Sequence, residues 1–287
     1  MTIRSIHLVT GVAATLLFGV ALSASGETVT KAVNVFDLFR EGKTEFHLGP
    51  QKDLNDPPSE IFKMQDGMLH ISGRGYGYMA TKQEFENYHL VLEFKWGPNT
   101  WGDRKTHTRD NGILYHATGP HGALEKTWPA SFEANIIQGG MGDLLVLSTK
   151  TPEGVPLEYS AVCEFVLDRD KEKCWKKGQP RQKLTSGRVN WEKRDVDWKD
   201  TLDFRGKDDL DAPVGEWNRL EVIARGNTAV HVFNGKVVNE AFEQSPCAGK
   251  VCIQTEGAEL FARRFEILPL DTFKEPWPPV ASGAGSK

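Results

Sequence analysis

The sequence predicts an all-β fold, a sandwich or barrel of short antiparallel strands. Three observations carry this. Short runs rich in β-branched and aromatic residues recur along the chain, each bounded by Gly, Asn, Asp or Pro. The pair Asn234-Gly235 stands between two such runs, and Asn-Gly is the strongest short-range signal for a tight hairpin. No stretch shows a helical apolar period sustained over more than a few turns.

Taken in order, the chain opens with Arg4, an apolar run from Leu8 to Leu22 and the small residues Ser23, Ala24 and Ser25. Positive charge, apolar stretch and small-residue end form the pattern of a secretory signal peptide, predicted over residues 1–25. The run is too short for a comfortable membrane span, so no stable span is expected after cleavage. Export implies a periplasmic or extracellular protein. Strands are then expected in the runs MLHISG, YHLVLEFKWG, GILYHA, SFEANIIQ and DLLVLS, and later in NRLEVIA, TAVHVFNGKVV, KVCIQTEG and ELFARRFEIL. In the second run Leu90, Leu92, Phe94 and Trp96 alternate with Val91, Glu93 and Lys95, so one side faces a core. In SFEANIIQ, Phe132, Ala134 and Ile136 share one face, and Ser131, Glu133 and Asn135 share the other. A polar sheet surface of this kind is where a sandwich binds a glycan. Residues 164–211 mix charges of both signs with Trp175, Trp191, Trp198 and Phe204. This segment is expected as a solvated insertion or as the rim of a cleft. Residues 278–287 are expected as a disordered tail.

The 287 residues carry a formal net charge of -4, which supplies no positive field for nucleic acid. No phosphate loop, no dinucleotide-binding glycine pattern and no nucleophile elbow occurs. The cysteines, Cys163, Cys174, Cys247 and Cys252, have no zinc-finger spacing. In an oxidising compartment the favoured pairing is local, Cys163 with Cys174 and Cys247 with Cys252. Asp110, His116, His121 and Glu133 offer metal donors, but no spacing signature calls for a metal. No cofactor is required, a divalent metal stays open, and the oligomeric state is not readable.

Four segments, GYGYMATKQEFENYHLVLEFKWG, RDNGILYHATGPHG, SFEANIIQGGMGDLLVL and PVGEWNRLEVIARGNTAVHVFNGKVV, together resemble the 3-keto-disaccharide hydrolase family. The likeness runs over a single domain, about residues 33–270. It implies a concanavalin A-like, laminarinase-like jelly roll and cleavage of glycosides oxidised at C3. Two positions depart from the family pattern: Asn135 stands where Gln is usual, and Gln138 where an acid is often found.

A ketone at C3 acidifies the proton on C2, so C1–O cleavage by β-elimination needs a base, an acid and a donor for the enolate. Glu133 is the first candidate for the base or acid, with His116 as proton shuttle or enolate donor. Arg109, Asp110, Asn135 and Gln138 are candidates for holding sugar hydroxyls. Lys95 is a candidate counter-charge for the enolate, Trp128 a stacking platform, and His231 a second-tier contact. Glu133 and His116 are expected in one cleft. The competing reading is a non-catalytic carbohydrate-binding sandwich, which would need aromatic platforms and amides rather than a convergent acid and base.

Overall fold

The computed structural model describes residues 26–272, apart from Lys52 and Asn55. The expected signal peptide and the expected C-terminal tail lie outside the described residues. What is described is all-β, a concanavalin A-like jelly-roll sandwich of two antiparallel sheets.

The first sheet has seven strands in the spatial order Gly187–Val189, Gly140–Leu147, Ala130–Ile137, Gly112–Thr118, Lys250–Glu256, Tyr76–Thr81 and Thr44–Leu48. The second has eleven, centred on Tyr88–Thr100, with Asn218–Arg225 on one side and Ala258–Leu268 on the other. The only α-helical pieces among the described residues are Val35–Arg40 and Pro58–Ile61. Asn234 and Gly235 take φ of 45° and 80° between Thr228–Phe233 and Lys236–Ser245, as a two-residue hairpin demands.

The alternation read from Leu90 to Trp96 is the core seam. Leu90, Leu92, Phe94 and Trp96 are buried against Tyr115, Phe132, Ala134 and Ile136 of the facing sheet. Full burial of each large apolar side chain is worth about 1.5–3 kcal/mol before chain entropy is subtracted. Strands at Thr44–Leu48, Tyr76–Thr81 and Ser160–Leu167 were not among those expected.

Residues 164–211 are a loop only in their second half, since 191–211 contain no helix or strand. Residues 164–189 complete strand Ser160–Leu167, add Lys173–Trp175 and Arg181–Leu184 to the larger sheet, and supply the edge strand Gly187–Val189 to the smaller. Trp191 is buried, its indole N–H donating to Gly139 O at 3.1 Å.

The expected disulfides are overturned: the four cysteines are free thiols. The register supplies a reason for the first pair. Cys163 is a core residue, whereas Cys174 lies opposite Val166, three positions along the same strand and therefore on the other face. Cys252 packs with Tyr78, Ala80, Leu114 and Ala117, away from the core. Denatured protein prepared without reductant is therefore expected to titrate all 4 cysteines with a thiol reagent. A count two lower would show a disulfide.

Candidate active site

The outer face of the seven-stranded sheet, turned away from the core, has an in-register grid of side chains. One cross-strand row runs His47, Tyr78, Gln254, Gly112, Asn135. The row beside it runs Glu45, Ala80, Cys252, Leu114, Glu133, Leu145, Arg188. A third begins with Tyr76 opposite Glu256. Strand alternation aligns them: Val251, Ile253 and the even residues 132–136 go to the core, which leaves Gln254, Glu256, Glu133 and Asn135 outside.

Glu133 leans across Gly112. A Cβ added at Gly112 would stand 2.5 Å from Glu133 Oε1 and 2.6 Å from Gln254 Oε1, so glycine is what lets both side chains meet there. Asn135 Nδ2 donates to Glu133 Oε1 at 2.7 Å and to Asp110 Oδ1 at 3.1 Å. Arg104 Nη2 donates to Asp110 Oδ2 at 2.8 Å and to Glu256 Oε1 at 2.7 Å. Arg188 Nη2 donates to Asn135 Oδ1 at 3.5 Å, and its Nη1 lies 3.8 Å from Asp143 Oδ2. Arg194 closes the group with a 2.5 Å contact to the fully buried Asp143. Glu133 is 4% exposed, and the Arg188 side chain over it is 32% exposed.

Burial raises the Glu133 carboxyl to about 7; Asn135 opposes the rise, the charge of Asp110 adds to it, and Arg188 opposes it in turn. Glu256 is carried well above the usual carboxylate range by burial and by Asp110, against the pull of Arg104. One guanidinium shared by two buried carboxyls leaves one of them best protonated. The site therefore holds a carboxyl poised near neutrality beside one held as the acid, an acid–base division set by environment.

The structure brings together Glu133, Asp110 and Asn135 and separates the other candidates. His116 is overturned as the partner of Glu133. The pairing of strand Gly112–Thr118 shifts by one residue between Tyr115↔Phe132 and Thr118↔Ala130, so His116 and Ala117 together oppose Ser131. His116 takes φ of 52° at this bulge, and its ring turns into the core against Tyr88, Tyr115 and Phe132. Neither ring nitrogen has a hydrogen-bond partner, and burial lowers its pKa to about 3, which keeps it neutral.

His231 is also between the sheets. Its Nδ1 donates to Gly142 O at 3.1 Å, which leaves Nε2 to accept from Tyr115 O–H at 3.0 Å. Lys95 lies on the larger sheet, 5.1 Å from the Trp217 ring centroid, and cannot serve an enolate at Glu133. Arg109 pairs with Asp203, and its backbone N–H donates to Gln138 Oε1 at 3.0 Å. Trp198 donates to Gln138 O at 2.9 Å. Arg109 and Gln138 thus anchor the 198–203 segment rather than a sugar. Trp128 is half-buried on the same outer face, packed on the apolar patch of Tyr78, Leu114 and Cys252.

Arg104, Asp143, Arg188, Arg194, Gln254 and Glu256 were not among the candidates. Gln254 and Glu256 had a signal, since they alternate with apolar Val251 and Ile253 in a predicted strand. The arginines sit in a loop and a charged segment and had none. His121, offered as a metal donor, instead meets Tyr78 O–H at 2.7 Å. Among the described residues no group of three or more His, Cys, Asp or Glu could hold a metal ion.

A putative glycosyl hydrolase from Parabacteroides distasonis is similar at 17% identity, covering 79% of this chain and 100% of its own, with a TM-score of 0.44. A Bacillus licheniformis beta-glucanase is similar at 11% identity, covering 83% and 96%, with a TM-score of 0.41. The carbohydrate-binding module CBM66 from Bacillus subtilis is similar at 6% identity, covering 78% and 94%, also at 0.41. No curated protein matches the chain. A family profile described as the 3-keto-alpha-glucoside-1,2-lyase-like domain matches residues 33–268.

Proposed function

The chain belongs to the 3-keto-alpha-glucoside-1,2-lyase-like family, and from that membership we propose that it cleaves glycosides whose sugar ring carries a ketone at C3. The observation that carries this is the buried Glu133 carboxyl, raised to about 7 beside Gln254, Asn135 and Arg188. Abstraction of an acidified C–H at neutral pH needs a base with that pKa.

In the proposed step Glu133, ionised, takes the proton from C2. The C2–H electrons form a C2=C3 bond and place the negative charge on the C3 oxygen; this enolate then collapses, re-forming the C3 ketone and a C1=C2 bond as the C1–O bond breaks. Glu256 delivers its proton to the departing oxygen. Arg188 supplies positive charge for the oxygen of the enolate, the part first assigned to Lys95. Water then adds across C1=C2 to give the free keto sugar. Gln254 Oε1 is buried without a hydrogen-bond partner, an acceptor that a sugar hydroxyl would satisfy. A purely sugar-binding surface has no need of acids and arginines buried this deeply, whose desolvation is costly.

Reaction in D2O tests the route. Deuterium is expected at C2 of the keto sugar released from 3-ketotrehalose, above the level in free keto sugar without protein. Unoxidised trehalose and cellobiose should remain intact, because no ketone acidifies their C2–H. Protein-dependent cleavage with no label above that control, or efficient cleavage of trehalose itself, would indicate direct displacement at C1 and end the elimination route.

A further inference from the structure

The guanidinium of Arg188 is held only loosely. Its Nη2 reaches Asn135 Oδ1 at 3.5 Å, and its Nη1 stands 3.8 Å from Asp143 Oδ2, outside hydrogen-bond distance. Asp143 is fully buried, and an unpaired buried carboxylate is costly enough to draw a neighbouring guanidinium onto itself. What prevents this is Arg194. Its Nη1 donates to Asp143 Oδ2 at 2.5 Å, and the Trp191 backbone N–H donates to Oδ1 at 2.8 Å. Both oxygens of Asp143 are thus engaged without Arg188.

Arg194 is itself fixed. Its Nη1 also donates to Asn190 Oδ1 at 3.2 Å, its guanidinium lies 4.3 Å from the Trp198 ring centroid, and its backbone N–H donates to Trp191 O at 3.2 Å. Trp198 and Trp191 are tied in turn by their indole N–H groups to Gln138 O and Gly139 O. The Gly139-Gly140 pair of the sequence makes the room. A Cβ at Gly140 would stand 2.8 Å from Asp143 Oδ2 and 2.9 Å from Arg194 Nη1, and one at Gly139 would stand 2.7 Å from Trp198 Cδ1.

We propose that Arg194 is a positioning residue for the reaction: by neutralising Asp143 it keeps the Arg188 guanidinium turned toward the enolate oxygen. The inference rests on the reading of this face as the site of 3-keto-glycoside cleavage. Without Arg194, the only remaining ion-pair partner of Asp143 among the described residues is Arg188. A shift of about 1 Å would turn their 3.8 Å separation into a charge-assisted hydrogen bond. Misplacing a group at a reacting centre by about 1 Å costs on the order of 10²-fold in rate. Arg194 acts through Arg188 and touches no reacting atom.

Turnover of 3-ketotrehalose by three variants tests this. Arg194→Met is expected to lower kcat about 10²-fold and to leave KM within about threefold, since the enolate charge develops only toward the transition state. Arg194→Lys, which keeps a cation on Asp143, should recover most of that loss. The decisive variant combines Arg194→Met with Asp143→Asn. The asparagine still accepts from the Trp191 N–H but has no charge to draw Arg188 away, so kcat should return to within about fivefold of wild type. A purely structural Arg194 requires the opposite, a double variant no better than the single. That result, or an Arg194→Met enzyme with wild-type kcat, would overturn the proposal. If Arg194→Met does not fold, the double variant, which strands no charge, decides alone: activity near wild type supports the proposal, and a loss of about 10²-fold overturns it. If the wild type itself cleaves no 3-keto-glycoside, the reading of the reacting centre falls, and crystal structures decide the positioning separately. Arg188 should then lie within hydrogen-bond distance of Asp143 in Arg194→Met, or in Arg194→Gln if methionine is not tolerated, and at its wild-type place in the double variant. An unmoved guanidinium in the single variant would end the proposal.

Discussion

Glu133→Gln is expected to abolish turnover of a 3-keto-glycoside, lowering kcat by about 10²–10⁴-fold, the usual worth of a positioned general base. The amide has the same shape and keeps an oxygen for Asn135 Nδ2, so the fold should survive. In the wild type, kcat/KM should rise tenfold per pH unit on the acid side and level off above about 7, where Glu133 ionises. Stability moves the other way. The folded state holds the Glu133 proton up to about 7, whereas the unfolded chain releases it near 4.5. Its contribution is therefore fully present below pH 4.5 and is lost as pH rises toward 7. The amide has no proton to lose. The variant should thus gain on the wild type across that window, by on the order of 3 kcal/mol at neutral pH. A dead enzyme that melts higher than wild type at pH 8 and not at pH 4.5 would be the signature of a carboxylate kept for chemistry at the expense of stability. Retained activity would assign the base elsewhere.

The sandwich was legible because strand period and burial agree along most of the chain. Leu90 to Trp96 and Phe132 to Ile136 each face the core as their alternation required. The same period placed Glu133 and Asn135 on the outer face. It failed at His116, since a period of two assumes an unbroken ladder and a single extra residue turns the next side chain over. It failed again at Arg109 and Gln138, whose partners Asp203 and Trp198 lie some sixty to ninety positions along the chain. Arg188 shows the other limit. Its segment is dense in charge of both signs, and only the pairing of Gly187–Val189 with Gly140–Leu147 brings that one guanidinium into the row of Glu133. The carboxylate also proved to have company. Asp110 and Asp143 raise its pKa, and Glu256, two residues beyond Gln254 on the strand Lys250–Glu256, is the second carboxyl of the proposed step.

Arg104→Met should be the most destabilising single change in this cluster. Arg104 donates to Asp110 and Glu256 and, through Nη1, to Thr108 O at 3.1 Å, with its side chain 11% exposed. Methionine fills part of the space but leaves two carboxyls facing each other with no cation between them. Removing one partner of a buried ion pair costs about 3–5 kcal/mol, because the remaining charge is stranded. The cost depends on ionisation, which separates it from lost packing. At pH 8 both carboxyls are charged in the unfolded chain and must be discharged or forced together on folding. At pH 5 protonating them costs much less, so the melting-temperature deficit should shrink as pH falls. Glu256→Gln added to Arg104→Met removes one of the two stranded groups and should recover stability at pH 8 while making little difference at pH 5. A deficit equal at both pH values, deepened by the second substitution, would mean that Arg104 acts as packing and that Asp110 and Glu256 are not the electrostatic unit on which the acid role of Glu256 depends.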